Sequence, residues 1–183
     1  MIKIVDNFFD DKMLKNIMNH IKSNCTFTPR FFKGFDKNNP IFNYSEDNKT
    51  KSWWGDRYIL ADDPNLLNTF KKQAEEKFKI KIKKLNPDSS IDLRNQEWFH
   101  PHVDPALLNV FIMLDGIVAV TNGTVFYTDK ELDIHVGFRP NRAVLFPSNR
   151  YHSAHANKFK GQRRYTSTLF IEEYKQLCLT TIK

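Results

Sequence analysis

The chain has 183 residues, of which 40% are hydrophobic and 27% are charged. This length and balance predict one globular domain with a buried core, and they exclude a disordered or low-complexity chain. Lysine and arginine outnumber aspartate and glutamate by 28 to 21, which gives a net charge of +7. Such an excess favours acidic partners, nucleic acid among them, but a lysine-rich solvated surface is the more common reason for it.

Cysteine usage and hydropathy indicate the compartment. The two cysteines, Cys25 and Cys178, lie far apart and in no metal-binding pair, so we expect two free thiols in a reducing compartment. Polar residues run through positions 1–20, which argues against a signal peptide, and no apolar run reaches the length of a membrane span. We therefore expect a cytoplasmic protein without a membrane anchor.

The first half of the chain mixes helical and extended patterns. Apolar residues recur at helical spacing in two segments, and an aspartate precedes each segment as a potential N-cap. We predict a strand at 2–5, a helix at about 11–22, a long loop or pair of irregular strands at 24–52, a strand at 53–59, a helix that begins after Asp62-Asp63-Pro64, and a strand at 77–83. In the last segment lysines alternate with apolar residues, a pattern that protects an exposed sheet edge.

The second half of the chain consists of successive predicted strands. They are expected near 91–93, 107–114, 118–120, 125–127, 134–138, 143–146 and 165–171, with a turn signal at Thr121-Asn122-Gly123. Helices early and strands late predict an α+β domain, in which a mainly antiparallel sheet sandwich carries helices on its outside.

The chemistry is concentrated around His102-Val103-Asp104. Residues two apart at the end of a strand project to the same face, so His102 and Asp104 can reach one metal ion. Two histidines and one carboxylate form the facial arrangement of non-haem Fe(II) oxygenases, which leaves three coordination positions open. A His-x-Asp sequence alone is weak evidence, since many loops contain one by chance.

The residues downstream strengthen this interpretation. An apolar strand and a turn, from Arg142 to Tyr151, lead to His152, which could supply the third ligand. Twelve residues later comes Arg164, which would share one strand face with Thr166 and Thr168. A buried arginine flanked by hydroxyl groups suits a bidentate salt bridge to a carboxylate.

Taken together, His102-x-Asp104, His152 and Arg164-x-Thr166 resemble the signature of the Fe(II)/2-oxoglutarate-dependent oxygenases. The resemblance is to the prolyl 4-hydroxylase-like branch. It extends to the opening segment Val5–Phe9 before a helix, and to Leu145–Ser148 before the distal histidine. It covers most of the chain and is strongest from Trp98 to Ile171.

The resemblance implies a double-stranded β-helix (jelly-roll) core with supporting N-terminal helices. Residues 1–183 would form a single domain, with helical support at 1–85 and the catalytic core at about 86–175. His102, Asp104 and His152 would bind Fe(II), while Arg164, helped by Thr166, would bind the 5-carboxylate of 2-oxoglutarate. No catalytic residue is expected beyond this metal site. The reaction would consume O2, release succinate and CO2, and use ascorbate as a supporting reductant.

The sequence also departs from the family pattern. Only Gly123 remains of the usual glycine pair, and Met113-Leu114-Asp115 stands where a tyrosine followed by Leu-Asn often contacts the cosubstrate. Phe170 replaces an arginine that alkylation-repair demethylases carry six residues after the cosubstrate arginine. A protein or peptide substrate, with proline as one option, is therefore the first hypothesis. Nucleic acid, a small metabolite, and a non-catalytic jelly-roll binding protein are the alternatives.

Several assignments compete within the site. His152 is favoured over His155 as the ligand because it directly follows the strand and turn, and His155 would then face the substrate or support the ligands. Arg164 is favoured over Arg163 by strand alternation. Three residues on one face of their strand could line the pocket or belong to the core: Asn109, Phe111 and Met113.

The remaining histidines and aromatic residues receive weaker assignments. His100 is expected at the pocket rim or on the surface, and His20 and His135 in structural roles. The aromatic segment 27–54 is expected to form a lid or wall over the iron face, because long loops in compact domains are often functional.

Overall fold

The structure is a computed structural model that describes residues 1–31, 53–94, 101–118, 122–128, 131–155 and 163–177. Two α-helices lie within these ranges, α1 (Asp11–Asn24) and α2 (Pro64–Phe78), and a 3₁₀ turn, Leu60–Asp62, precedes α2. The strands there are β1 (Lys3–Val5), β2 (Thr28–Phe31), β3 (Trp53–Ile59), β4 (Ile80–Leu85), β5 (Ser90–Arg94), β6 (Leu108–Asp115), β7 (Gly123–Thr128), β8 (Glu131–Gly137), β9 (Arg142–Pro147), β10 (His152–His155) and β11 (Arg164–Gln176).

The strands form two antiparallel sheets. The larger one has the order β1-β9-β6-β11-β5-β3-β2, and β4 pairs with the far half of β11. The smaller one has the order β10-β7-β8. Strands that are distant in sequence are neighbours in both sheets, as β11 lies between β6 and β5. Residues 1–85 thus supply both helices and four of the strands.

Alternation along the strands of the larger sheet gives it two buried faces. Its inner face packs against the smaller sheet, where Val144 and Phe146 of β9 meet Phe126 of β7 and Val136 of β8. Its outer face packs against the helices in a separate cluster. The helices contribute to it the buried side chains of Ile17, Ile21, Leu66, Phe70 and Phe78. This is the expected α+β sandwich with helices outside, and strand β6 has buried residues on both of its faces.

Both helices begin at the predicted aspartates. The Asp10 carboxylate accepts a hydrogen bond from the Met13 amide at 2.7 Å, and Asp63 accepts one from the Leu66 amide at 2.9 Å. The hydrogen bond from the Leu66 amide, together with His20, holds the pKa of Asp63 below its ordinary value. Burial acts in the opposite direction and only partly offsets them. None of the helices within the described ranges is long and apolar enough to cross a bilayer.

The predicted strand at 77–83 begins later than its alternating pattern indicated. Helix α2 continues through Phe78, and Lys79 ends it in the left-handed conformation with φ of 55°. Strand β4 then runs from Ile80, with Ile80 and Ile82 buried and Lys81 and Lys83 exposed. Alternation therefore predicted the faces of β4 correctly, and Phe78 lies on the apolar face of α2, as its helical spacing from Phe70 and Ala74 predicts.

A buried asparagine attaches the N-terminal segment to the sandwich. The Asn141 side chain accepts a hydrogen bond from the Phe9 amide and donates one to the Phe9 carbonyl, both at 2.8 Å. Its backbone carbonyl accepts a further bond from the Phe8 amide at 2.9 Å. Asn141 has φ of 66°, a conformation that asparagine tolerates better than most residues. These bonds hold Phe8 and Phe9 in the core.

We expect Asn141→Ala to lower the free energy of unfolding by about 2–4 kcal/mol, because two buried backbone groups lose their partners and alanine disfavours this φ. Urea denaturation followed by circular dichroism measures the change. Asn149→Ala, at an exposed turn position, is the matched control and should stay within about 0.5 kcal/mol of the parent. Equal stability of the two variants would show that Asn141 does not anchor the N-terminal segment.

Candidate metal centre

Backbone hydrogen bonds bring the two halves of the metal centre together. The His102 amide donates to the His152 carbonyl and the His152 amide donates to the His102 carbonyl, each at 3.0 Å. Two residues further along, the Asp104 amide donates to the Ser148 carbonyl at 3.0 Å. The segment that carries His102 and Asp104 is thereby paired with the turn and strand that carry His152.

The three predicted ligands converge in the structure. His102 Nε2 lies 3.7 Å from Asp104 Oδ1, and His152 Nε2 lies 3.2 Å from Asp104 Oδ2. All three ligand atoms lie within 4.8 Å of one another. In a facial octahedral arrangement with metal–ligand bonds of about 2.1 Å, neighbouring ligand atoms would be about 3.0 Å apart. The cluster therefore suits a single metal ion after small side-chain shifts.

The His152 ring is oriented from its opposite edge. Its Nδ1 lies 2.9 Å from the Arg150 carbonyl oxygen, which can only accept, so Nδ1 carries the proton and donates. The Nε2 atom, which faces Asp104, is then free to coordinate a metal ion. The Phe146 ring packs edge-on against the imidazole, with centroids 4.8 Å apart, and His152 is only 8% exposed.

A buried relay holds the Asp104 carboxylate. The Asn109 amide donates to Asp104 Oδ2, and the Ser148 hydroxyl donates to the Asn109 amide oxygen at 2.7 Å. Both Asn109 and Ser148 are fully buried. Burial raises the pKa of Asp104, but the hydrogen bond and charge of His152, His102 and the Asn109 amide together lower it below the usual range. The carboxylate is therefore ionised at neutral pH and suited to a cation.

A cavity of about 300 Å³ opens onto these ligands. Its lining combines aromatic and charged side chains with the hydroxyl of Thr168, the main aromatic and charged ones being Arg57, Asp88, Asp92, Arg94, Phe111, Phe146 and Phe170. The volume is at the lower end of the range for small-molecule sites. The sequence left open whether Asn109, Phe111 and Met113 line the pocket or belong to the core, and the structure places them in different surroundings. Asn109 and Phe111 line the cavity, whereas Met113 packs in the core between the sheets.

Arg164 lies buried at the start of β11, as its alternation with Arg163 predicts. It is 5% exposed, whereas the side chain of Arg163 is 53% exposed and lies 3.8 Å from Asp56. Arg164 donates a hydrogen bond to the Asn122 amide oxygen, and its guanidinium lies 5.8 Å from the centre of the Phe138 ring. Gly116 makes room for it, since a Cβ there would lie 2.9 Å from the Arg164 Cβ.

The surroundings of Arg164 favour an anion. Burial, and then the positive charge of Arg94, lower the pKa of Arg164 to about 9, so the group remains charged at neutral pH. Among the described residues, two buried atoms here have no hydrogen-bond partner, the Arg164 Nε and the Thr166 hydroxyl. A carboxylate would give both atoms a partner. The chemistry of these buried groups therefore suits a carboxylate ligand.

Some of the remaining residues singled out in the sequence lie away from the metal centre, and others lie outside the described part of the chain. His20 joins the helices, with its Nε2 2.7 Å from the Asp63 carboxylate. Phe27 packs in the core against Tyr58 and Tyr165. The side chain of His155, residue His100, Cys178 and most of the aromatic segment (residues 32–52) lie outside the described residues.

Sequence reasoning missed two groups of supporting residues. The Asn109–Ser148 relay is the first, although Asn109 stands only five residues after Asp104. The second is an ion cluster on β3 and β5, in which Asp92 accepts from Arg57 Nε at 2.7 Å and from Arg94 Nη2 at 3.3 Å. Its only sequence signal was the presence of charged residues in an otherwise apolar strand.

Comparisons with solved structures identify the fold. SnoN, a non-heme α-ketoglutarate-dependent epimerase from nogalamycin biosynthesis, superposes with a TM-score of 0.60 at 12% identity, over 99% of this chain and 82% of that one. A Trichoplax adhaerens prolyl hydroxylase, in complex with a hypoxia-inducible-factor peptide, gives 0.52 at 14% identity over 93% and 83%. A Pseudomonas putida prolyl-4-hydroxylase gives 0.55 at 8% identity over 94% and 92%.

The chain has the double-stranded β-helix fold of the 2-oxoglutarate-dependent oxygenases. This confirms the fold predicted from the sequence. No protein-family model matches the sequence, and no curated protein matches it significantly. At 8–14% identity the structural similarity extends to the fold, and the residues of the site must carry any statement about activity.

We expect His152→Ala to weaken Fe(II) binding by more than about 100-fold, because it removes one of three ligands, whereas His155→Ala should keep most of the affinity. Anaerobic titration with Fe(II), monitored by calorimetry, measures both. The reverse result would mean that His155 is the metal ligand and that His152 is not.

We expect Asn109→Ala to weaken Fe(II) binding by about 10–100-fold, since the Asp104 carboxylate loses the donor that orients it. The same titration applies, and Asn68→Ala on the exposed face of α2 is the control. Unchanged affinity in Asn109→Ala would show that Asp104 needs no support from the relay.

Proposed function

We propose that this protein is an Fe(II)- and 2-oxoglutarate-dependent dioxygenase that hydroxylates its substrate. The observation that carries the proposal is the convergence of His102, Asp104 and His152 at a cavity on this fold. When bound, Fe(II) and 2-oxoglutarate would supply the oxidation, with O2 consumed, succinate and CO2 released, and one oxygen atom transferred to the substrate. SnoN has been crystallised with Fe3+ and α-ketoglutarate, which supports this choice of cofactors.

The protein's own residues would bind and orient the two cofactors. Three ligands on one side of the metal leave the positions that face the cavity open to a chelating cosubstrate and to O2. Arg164 and Thr166 would hold the distal carboxylate. The ring packing of Phe146 on His152 and the buried relay behind Asp104 keep water away from the ligands on the protein side. Ascorbate would act as a supporting reductant.

For the substrate we infer a protein or peptide residue, with proline as one option. Two prolyl hydroxylases are among the similar structures, one of them with a bound peptide. Val103 and Leu107, on either side of Asp104 in the chain, are 44% and 57% exposed and offer apolar contacts beside the ligands. Phe170 lines the cavity and could pack against an apolar side chain.

A small metabolite is the second candidate. The cavity is small and carries Arg57, Asp92 and Arg94 on its wall, a lining that suits a compact polar molecule. SnoN, which has been crystallised with nogalamycin RO, has a small-molecule ligand. Nucleic acid is less favoured, since Phe170 occupies the position of a base-recognising arginine. We also infer a cytoplasmic location, because Cys25 is a free thiol.

Anaerobic addition of Fe(II) and 2-oxoglutarate should produce a weak visible absorption band in the parent protein. Asp104→Ala should abolish the band, because it removes the carboxylate ligand. With oxygen, a screen of peptides and small metabolites for stimulated succinate formation then separates the two substrate candidates. An Asp104→Ala variant that keeps the full band would contradict the proposed metal site.

Binding to single- or double-stranded DNA or RNA should be weak at physiological salt. The net charge of +7 would give any nucleic-acid complex a steep salt dependence through counterion release. Fluorescence anisotropy at several salt concentrations measures this. A salt-sensitive submicromolar complex, or succinate formation stimulated by an alkylated oligonucleotide, would favour nucleic acid over peptide.

A further inference from the structure

A second arginine faces the same side of the sheet as Arg164. Arg94 of β5 is the direct cross-strand partner of Arg164 of β11. Residues directly opposite each other in an antiparallel pair lie on the same face with adjacent Cβ atoms, so both arginines point to the inner side of the large sheet. Arg164 is 5% exposed and the Arg94 side chain is 13% exposed.

Two like charges in direct register destabilise a sheet unless an anion lies between or beside them. The hydrogen-bonding partner of Arg164 among the described residues is the neutral Asn122 amide. Arg94 donates to Asp92 at 3.3 Å, but Asp92 is held more closely by Arg57, through Nε at 2.7 Å and Nη2 at 3.4 Å. The two arginines thus share the Asp92 carboxylate, and its shortest contact is with Arg57.

Arg94 also borders the cavity at the metal ligands. Of the two arginines, Arg94 lines the cavity that contains the metal ligands. Burial lowers the pKa of Arg94, and the negative charges of Asp92 and, less strongly, Asp104 raise it. Gly55 of β3 leaves space for this side chain, since a Cβ there would lie 3.3 Å from the Arg94 Cγ.

We propose that Arg94 and Arg164 together bind the distal carboxylate of the 2-oxo acid cosubstrate. The proposal rests on the proposed function and adds a residue to it. One carboxylate has two oxygens and about four lone-pair sites, enough for donors from both guanidinium groups and from Thr166. Two cations around one site would make the protein strongly selective for a dicarboxylate over a monocarboxylate 2-oxo acid. Asp92 and Arg57 would position Arg94.

The test compares two cosubstrates that chelate iron in the same way. 2-Oxopentanoate carries a methyl group where 2-oxoglutarate carries its distal carboxylate. Dissociation constants for both are measured with Fe(II)-loaded protein without oxygen, from the visible absorption band. The proteins are the parent, Arg94→Met, Arg94→Lys, Arg164→Met and the exposed control Arg163→Met.

We expect Arg94→Met and Arg164→Met each to weaken 2-oxoglutarate binding by about 10–100-fold, the cost of one charged hydrogen-bonded contact. Binding of 2-oxopentanoate should change by less than about threefold in both variants, because this ligand has no distal carboxylate for the arginines to contact. Arg94→Lys should fall between the parent and Arg94→Met, since lysine keeps the charge but not the planar fork. Arg163→Met should match the parent.

A folding defect would weaken the binding of both ligands equally. The comparison between the two ligands therefore distinguishes such a defect from the loss of a contact to the distal carboxylate. Asp92 keeps its closer partner Arg57 when Arg94 is removed, so no buried carboxylate is left alone. Parent-like 2-oxoglutarate binding in Arg94→Met would overturn the proposal and place Arg94 on the substrate side of the cavity. Equal losses for both ligands would also overturn it. A parent protein that forms the band with neither ligand would instead contradict the proposed function itself.

Discussion

The reciprocal pair of backbone hydrogen bonds between His102 and His152 is the contact on which the rest of the site depends. It is an isolated bridge that joins the segment before β6 to the start of β10. Because it fixes the two histidine backbones against each other, the rings approach with centroids 4.4 Å apart. Asp104 is then placed by its own bond to Ser148. Without this bridge the three ligands would belong to independent segments.

Buried polar groups around the site have a high desolvation cost, which a specific hydrogen-bond partner offsets. Asn109 and Ser148 form a hydrogen-bonded chain behind Asp104, and Asp92 accepts hydrogen bonds from both Arg57 and Arg94. Arg164 and Thr166 are different, because each keeps a buried polar atom without a partner among the described residues. A folded protein tolerates such atoms most readily where a ligand completes the bonding. The contrast separates the relay that supports Asp104 from Arg164 and Thr166, which are proposed to bind the cosubstrate.

Much of the site could be predicted because its signals are local. His102 and Asp104 are two residues apart, and Arg164 differs from Arg163 by strand alternation alone, which the structure confirms in their exposure. Helix N-caps at Asp10 and Asp63 are equally local. The end of α2 was ambiguous, because Phe78 fits both the apolar face of the helix and the alternating pattern of Lys77–Lys83. Its burial in the helical cluster decides its conformation.

The position of Arg94 opposite Arg164 could not be predicted, since it depends on the pairing of β5 with β11, 70 residues later in the chain. No periodicity within either strand specifies that register. Likewise, the Asn109–Ser148 bond joins β6 to the turn after β9 across 39 residues. Long-range pairing therefore converts ordinary strand residues into parts of the site, and the three-dimensional structure is needed to find them.

A crystal structure with Mn(II) and N-oxalylglycine, an unreactive analogue of 2-oxoglutarate, would test the metal site most directly. Anomalous scattering locates the manganese without assumptions about its ligands. If the site is an oxygenase centre, the ion lies within coordination distance of His102, His152 and the Asp104 carboxylate, and the analogue chelates it with its far carboxylate toward Arg164. Manganese bound elsewhere, or bound without Asp104, would contradict the oxygenase assignment.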